Sequence, residues 1–329
     1  MRICLLTYQE LDTEPFPEDD YPCDPRPFLP EADWHLEPLE AGRAAVERVE
    51  EMIAKDFDVY FNLCDGDGKS FPGIEVVRTL EKHGVPFTGP TSGFFDPTRR
   101  QMKDACRRAG IAAPKDVVVR HERDVDKVLE KLRFPIIVKC YAGFASIDLS
   151  RQSRVQTEAG LRRQVRKMLS RHPAALVEEF IEGDECTVLI AETPGQPRKP
   201  TTYVPVQYTF PKGETFKHEK LKWFEHAGLG AAPVPDPALD ARLRDEATRF
   251  FLELGGTGFA RTDVRVDATG TPYTLEINPL PGIYFEKKDW GGADLCLFFD
   301  PAGHTGFTRQ LVDVALTRGR RNERRRARR

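Results

Sequence analysis

The sequence has little that would tie it to a membrane, a nucleic acid or an oxidising compartment. None of its apolar runs approaches the roughly 20 residues that a helix needs to cross a bilayer, and the formal net charge is only -3. The 7 cysteines are scattered without a CxxC pair, which argues against a disulfide framework and against structural zinc. We therefore expect a cytoplasmic protein without a nucleic-acid or membrane partner.

Length and composition indicate a soluble protein of several domains. The chain has 329 residues, of which 40% are hydrophobic and 31% charged, and this length exceeds what one compact core usually holds. The apolar start at residues 1–7 is too short for a signal peptide and predicts a buried strand. Residues 318–329 are dominated by arginine. They could contact nucleic acid or an anionic surface, but a solvated, disordered tail is favoured.

The first 90 residues alternate between strand and helix patterns, which is typical of a doubly wound parallel sheet. Strands are predicted at residues 2–7, 58–63 and 85–88, and helices at 41–55 and 73–83. Residues 8–39 are rich in proline and acidic residues and are predicted to form one long irregular loop. Gly89-Pro90 marks the end of this N-terminal domain, residues 1–90.

Two α+β units are predicted next, a central one at residues 91–181 and a C-terminal one at residues 182–317. Helices are predicted at residues 96–109, 124–131, 157–170, 237–254 and 306–317. Strands are predicted at residues 117–119, 135–140, 175–181, 186–191, 202–207, 259–266 and 273–277. The predicted fold class therefore combines α/β and α+β architecture.

The strongest chemical signal is a pair of strand patterns joined by a turn at residues 267–270. Glu276 and Asn278 share one face of the second strand because they are two residues apart. Antiparallel pairing would bring Asp263 beside them, and Arg261 next to it. Two carboxylates and an amide oxygen are the hard donors that Mg²⁺ prefers. Each residue alone also fits an exposed hairpin with salt bridges, but the adjoining Pro-Leu-Pro-Gly segment favours a functional site.

Three further segments could contact a nucleotide. Lys139 ends an apolar strand, where an unpaired lysine would be costly, and the small-residue loop after it offers N–H groups and Ser146 to a phosphate. The extended backbone of residues 179–181 could bind an adenine edge. Residues 216–223 form a basic and aromatic loop that could close over phosphates. Taken alone, each segment is explained as simply by a solvated or salt-bridged surface.

These segments follow one another in the order found in the D-alanine–D-alanine ligase branch of the ATP-grasp superfamily, which the chain resembles. The resemblance extends from about residue 56 to the end of the chain and is most specific at residues 261–263 and 275–282. It implies an ATP-grasp fold after an N-terminal doubly wound domain. It also implies that ATP phosphorylates a small carboxylate, that an amine attacks the acyl phosphate, and that an amide forms. A homodimer is compatible with it.

The resemblance also implies the roles of individual residues. Asp263, Glu276 and Asn278 would hold two Mg²⁺ ions. Catalysis would involve Arg261, which stabilises the acyl phosphate and the tetrahedral intermediate, together with Lys222 and Gly282. The residues expected to hold ATP are Arg99, Lys139, Ser146, Glu178, Glu179, Ile181, Glu185 and Lys222.

Three departures from the family's pattern bear on the substrates. Arg99 stands where the family usually has a phosphate-binding lysine. Residues 7–10 replace the turn and acid that bind the first D-alanine, and residues 283–288 replace the small hydroxyl residues that bind the second. We therefore expect amino acids or related compounds of specialised metabolism rather than two D-alanines. A small-molecule kinase and a non-catalytic nucleotide-binding protein are the alternatives, and amine-dependent ADP release distinguishes them from a ligase.

Overall fold

The structure is a computed structural model that describes residues 1–8, 23–141, 148–223 and 228–326, and it confirms the predicted fold class. The N-terminal sheet is parallel, in the order β2-β1-β3. Residues 3–7 of its middle strand are all buried, as expected for a parallel sheet that is covered on both faces. The elements of this domain are β1 (Arg2–Thr7), β2 (Asp33–Pro38), α1 (Arg43–Ile53), β3 (Val59–Asn62) and α2 (Ile74–His83).

Two predictions for this domain were wrong. Residues 8–39 are not one irregular loop, because β2 lies within them and pairs with β1. Trp34 and Leu36 alternate along β2 and pack against the core, a pattern that the surrounding prolines obscure. Residues 85–88 form no strand and make only a parallel bridge between Phe87 and Tyr60.

The central sheet is antiparallel, in the order β4-β7-β5-β6. Helices α4 and α5 pack on it and enclose a core built mainly from valine and leucine. Helix α3 begins at Arg99 rather than at residue 96, because Thr98 and Gln101 form a capping box. The elements from residue 91 to 181 are α3 (Arg99–Ala109), β4 (Asp116–Val119), α4 (Val125–Lys131), β5 (Ile136–Cys140), β6 (Arg154–Val155), α5 (Glu158–Leu169) and β7 (Ala175–Glu179).

The C-terminal sheet has the order β11-β10-β8-β12-β13, and β9 also pairs with β8. The single strand predicted at residues 202–207 is interrupted, since β9 ends at Thr202 and β10 begins at Val206 after Pro205, which has no N–H to donate. The elements are β8 (Gly183–Thr193), β9 (Gln196–Thr202), β10 (Val206–Thr209), α6 (Glu219–Trp223), β11 (Gly230–Pro233), α7 (Pro237–Glu253), β12 (Phe259–Asp267), β13 (Pro272–Pro279), α8 (Gly292–Phe299) and α9 (Gly303–Arg326).

The hydrophobic cores do not follow the three segments one by one. One cluster joins the N-terminal sheet, through Ile3 and Phe61, to the C-terminal unit, through Leu189 and Phe307. A second cluster packs α3 against α7 and the C-terminal sheet. The central sheet keeps a core of its own, whose buried members all lie between residues 117 and 177.

The C-terminal helix also differs from expectation. We expected a disordered tail from residue 318, but α9 continues to Arg326. Arg318 explains part of this, because it bonds to the Gly89 carbonyl at 3.2 Å, pairs with Glu192 at 2.5 Å and covers the ring of Phe87. None of the helices in the described ranges has both the length and the apolar character that crossing a membrane requires.

Candidate active site

The β12–β13 hairpin forms the centre of the site, and its predicted pairing is confirmed. Arg261 faces Asn278, and Asp263 faces Glu276. The Arg261 guanidinium holds both oxygens of Asp263, with Nε 2.9 Å from Oδ1 and an Nη atom 2.7 Å from Oδ2. The side-chain amide of Asn278 donates to Asp263 Oδ2 at 3.1 Å. Thr187 on β8 donates to Asp263 Oδ1 at 2.8 Å and so helps to fix the orientation of this carboxylate.

Arg99 connects this hairpin to helix α3. Its guanidinium forms an ion pair with Glu276, and it lies in the first turn of α3 because of the cap at Thr98. Burial opposes ionisation of Glu276, but the charges of Arg99 and Lys139 outweigh it and lower the pKa of Glu276 to about 2. Glu276 is therefore an anion at neutral pH.

Glu178 and two lysines form a buried cluster beside the hairpin. Lys139 on β5 forms an ion pair with one carboxylate oxygen of Glu178, and Lys103 lies 2.7 Å from the other. Burial opposes ionisation of Glu178, but these two lysines prevail and lower its pKa to about 2. Lys103 was not among the predicted site residues, although it lies one helical turn after Arg99 and therefore on the same face of α3.

Several polar groups of residues 179–185, which are predicted to bind adenosine, already have hydrogen-bond partners within the protein. Arg265 is buried and donates to the carbonyl of Ile181 at 2.5 Å and to the carboxylate of Glu185 at 3.2 Å. The N–H groups of Glu179 and Phe180 donate to Lys115 and Pro135 carbonyls. The contact of residues 179–181 with an adenine edge stays a prediction.

Lys217 is a second residue that the sequence analysis did not single out. Its ammonium lies 3.3 Å from Glu185 and 3.0 Å from the ring centroid of Tyr208. Burial disfavours the charged form of Lys217, but Tyr208 and Glu185 outweigh it and raise the pKa. Lys217 lies in the basic segment that is predicted to close over phosphates, and it lines the cavity.

Glycines shape the opposite side of the site. A Cβ atom at Gly282 would lie 2.9 Å from the ring of Phe285, and one at Gly292 would lie 2.5 Å from the Tyr208 hydroxyl and 3.2 Å from Arg261 Cδ. The buried carboxylate of Asp294 accepts from the Tyr284 N–H at 2.8 Å and from the Gly291 N–H at 3.3 Å. Asp294 thus ties both ends of the loop that leads from Gly282 to α8.

These groups surround one cavity of about 700 Å³. The predicted residues that line it are Arg99, Lys139, Glu178, Glu179, Ile181, Glu185, Arg261, Asp263, Glu276, Asn278 and Gly282. Lys222 lies on α6, but its side chain is outside the described part of the chain, and Ser146 falls in the undescribed residues 142–147. Tyr208, Lys217 and Arg265 also line the cavity.

The donor set fits magnesium by its chemistry. Asp263, Glu276 and Asn278 supply two ionisable carboxylates and an amide oxygen from adjacent positions of one hairpin. Within the described ranges, no three histidine, cysteine or acidic side chains converge as a metal site, which agrees with a site that also depends on amide, phosphate and water oxygens. Arg261 and Arg99 balance the two carboxylates.

Comparisons with known proteins agree with this geometry. Residues 107–285 match the family described as "D-ala D-ala ligase C-terminus". A D-alanine–D-alanine ligase of Cupriavidus metallidurans is 29% identical over 247 residues, which are 72% of this chain and 71% of that protein. The structure of D-alanine–D-alanine ligase from Bacillus anthracis complexed with ATP superposes with a TM-score of 0.68 at 18% identity, covering 99% of each chain. VanG D-Ala:D-Ser ligase from Enterococcus faecalis superposes with a TM-score of 0.67 at 14% identity, over 95% of this chain and 99% of that one.

Proposed function

The chain belongs to the D-ala D-ala ligase C-terminus family, and on that premise we propose that it joins a small carboxylate to an amine at the expense of ATP. The observation that carries the proposal is the register of one hairpin, which brings Arg261, Asp263, Glu276 and Asn278 into one cavity with Lys139. A phosphoryl-transfer site needs positive charge around the phosphates and acidic donors for their magnesium, and this cavity contains both.

Each part of the cavity has a distinct role in this proposal. Asp263, Glu276 and Asn278 would hold Mg²⁺, which neutralises charge on phosphate oxygens when it is bound. Lys139 and Arg99 bind phosphate, and Glu178 keeps Lys139 aimed into the cavity. Arg261, fixed by Asp263, faces the anion that forms when the amine attacks.

The bonds balance in two steps. The carboxylate takes the γ-phosphoryl group of ATP and releases ADP, and the amine nitrogen then attacks the acyl carbon. The carbon–nitrogen bond forms as the carbon–oxygen bond to phosphate breaks, and the amine loses a proton to solvent. Exclusion of water protects the acyl phosphate. In this proposal the basic segment at residues 216–223, of which Phe216 and Lys217 line the cavity, closes over it.

The substrates are amino acids or amino-acid-like compounds of specialised metabolism. Two features support this narrower proposal. Residues 7–10 lack the family's glycine-rich turn, and the segment after Gly282 contains Tyr284 and Phe285 instead of small hydroxyl residues. Phe285 lines the cavity, whereas Tyr284 is buried in the core beside it, so an aromatic ring stands where the family has small hydroxyl residues.

The test is to incubate the protein with ATP, Mg²⁺ and pooled amino acids while following phosphate release and new masses. A mass equal to two inputs minus water, formed only with ATP, supports the ligase and identifies both substrates. ADP formation that needs no amine, together with a phosphorylated product, would support a kinase instead. Absence of ADP and of new masses across broad pools would contradict the proposal.

A further inference from the structure

Helix α8 is apolar on two faces, and only one of them is fully buried. The core face consists of Ala293, Cys296 and Leu297, which are fully buried. The second face carries Leu295, Phe298 and Phe299 at spacings of three and four residues, and all three line the cavity. Phe298 is 52% exposed. Leu295 and Phe299 pack partly against the core. A surface helix normally turns its solvent side polar, so folding alone does not account for the exposed ring of Phe298.

Trp290 extends the same surface, which we call the aromatic wall (Trp290, Leu295, Phe298 and Phe299). The ring centroids of Trp290 and Phe298 are 4.9 Å apart. The wall begins beside the reaction centre, since α8 starts at Gly292, where an added Cβ would touch Arg261. Apolar surface that faces a cavity with a few polar groups is typical of a small-molecule site.

A lysine stands at the rim of the wall. The Lys287 ammonium lies 5.8 Å from the ring centroids of both Trp290 and Phe298. Lys288, its neighbour, pairs with Glu286 at 3.1 Å. Lys287 makes no ion pair with any carboxylate among residues 1–8, 23–141, 148–223 and 228–326. The aromatic wall therefore offers an apolar surface, and the Lys287 ammonium beside it can form an ion pair with an anionic group.

We propose that the amine substrate is an amino acid with a large apolar or aromatic side chain and a free carboxylate. The aromatic wall binds the side chain, and Lys287 binds the carboxylate. The amine is then directed toward Arg261 and Gly282, where the acyl group is formed. This inference rests on the proposed ligase function, because that function makes this end of the cavity the acceptor site.

Binding can be tested without knowing the carboxylate substrate. Calorimetric titrations of the full chain with ADP and Mg²⁺ would compare both enantiomers of phenylalanine with alanine and with phenylalaninamide. At least one enantiomer of phenylalanine should bind about tenfold or more tightly than the matching alanine, because a buried aromatic side chain contributes that much or more. The amide, which lacks the carboxylate, should bind several-fold more weakly than phenylalanine.

Two variants assign these preferences to the wall. Phe298→Ala should lose about tenfold in phenylalanine affinity with alanine unaffected, and Lys287→Ala should bind phenylalanine only as well as it binds the amide. Leu252→Ala, which removes a 36% exposed side chain on α7 outside the cavity, is the control and should change nothing. Thermal melts verify that each variant is folded, which the exposure of Phe298 makes the expected result.

Equal affinity for phenylalanine and alanine, or absence of binding by both, would overturn the inference. So would a Phe298→Ala variant that weakens both ligands alike, since the wall would then support the chain's own structure. Failure of the proposed function is a separate result, because it would appear as missing ATP-dependent products in the pooled assay whatever the titrations give.

Discussion

Asp263 and Glu276 lie directly opposite each other on β12 and β13, and the register of the hairpin shifts immediately after Asp263. Two carboxylates at this separation repel each other unless cations lie close by. Arg261 and Arg99 supply that charge in the structure. The proposed Mg²⁺ ions would add to this compensation, because both carboxylates line the cavity.

Loss of either carboxylate should stop the reaction and leave the fold intact. Glu276→Ala and Asp263→Asn should each lower ATP-dependent product formation by a factor on the order of 100 or more, because several kcal/mol of charge stabilisation are lost. Product formation is measured across a magnesium titration. Asp245→Asn, at an exposed ion pair on α7, is the matched control. Near-normal turnover by Glu276→Ala would refute the metal assignment.

Replacing the Arg261 fork by a single ammonium should lower kcat. Arg261→Lys keeps the charge but cannot hold both oxygens of Asp263 and a developing anion together. We expect a decrease of about 10- to 100-fold in kcat with a smaller change in the KM for ATP. Steady-state kinetics would measure both constants. Arg249→Lys, at the exposed pair with Asp245, should behave as the parent protein does, and an unchanged kcat for Arg261→Lys would exclude a catalytic role.

Stability should depend on pH through Glu178. Its folded-state pKa of about 2 lies below the ordinary value of 4.5, so its ionised form stabilises the fold fully above pH 4.5. That contribution, about 3 kcal/mol at about 1.4 kcal/mol per pKa unit, disappears as the pH falls through 2.

Glu178→Gln tests this dependence. The variant leaves Lys103 and Lys139 buried without their carboxylate and should be about 3–5 kcal/mol less stable at pH 7. Denaturant unfolding from pH 7 to pH 2.5 should show the difference from the parent protein narrowing below pH 4.5. A difference that stays constant over this range would contradict the assignment. Glu122→Gln, at an exposed ion pair with Arg166, should give only a small and nearly constant difference.

Replacing Asp294 should weaken binding of the amine substrate and leave binding of ATP nearly unchanged. Asp294→Asn replaces one acceptor oxygen by a donor, so the side chain can no longer accept from the N–H groups of both Tyr284 and Gly291 while it contacts His304 at 2.9 Å. We expect about a tenfold rise in the KM for the amine, with the KM for ATP changed less than about twofold. Thr308→Val is the control, because it removes the hydroxyl that contacts the Tyr284 hydroxyl at 2.9 Å and donates to the His304 carbonyl at 2.7 Å, and leaves the Asp294 carboxylate in place. Equal increases in both KM values would indicate a general loss of structure.

Sequence reasoning succeeded where chemistry and local pairing coincide. The turn at residues 267–270 and the two-residue spacing of Glu276 and Asn278 determine the hairpin, so its register and its functional face could be predicted together. Arg265 could have been found by the same rule. It follows Arg261 and Asp263 at intervals of two on β12 and therefore shares their face.

The residues that were missed depend on contacts between distant segments. Helix α3 packs on the C-terminal sheet, and from there Lys103 contacts Glu178 of the central sheet. No local sequence pattern predicts that packing. Lys217, between β10 and α6, likewise meets Glu185 on β8 from a distant part of the chain. Strand β2 was hidden by the prolines around it, since its pairing with β1 depends on the neighbouring strand and not on its own composition.

The shared core has a mechanical consequence. The N-terminal sheet and the C-terminal unit bury a common set of side chains, so pulling them apart would expose a continuous apolar surface to water. The central sheet packs around a separate core and is attached to α3 through the ion pair of Lys103 with Glu178. A rotation of that sheet against the rest of the chain would therefore expose less apolar surface than separating the N-terminal sheet from the C-terminal unit. Lys139 and Glu178 would move with the central sheet. Arg261, Asp263 and the aromatic wall would stay with the rest of the chain.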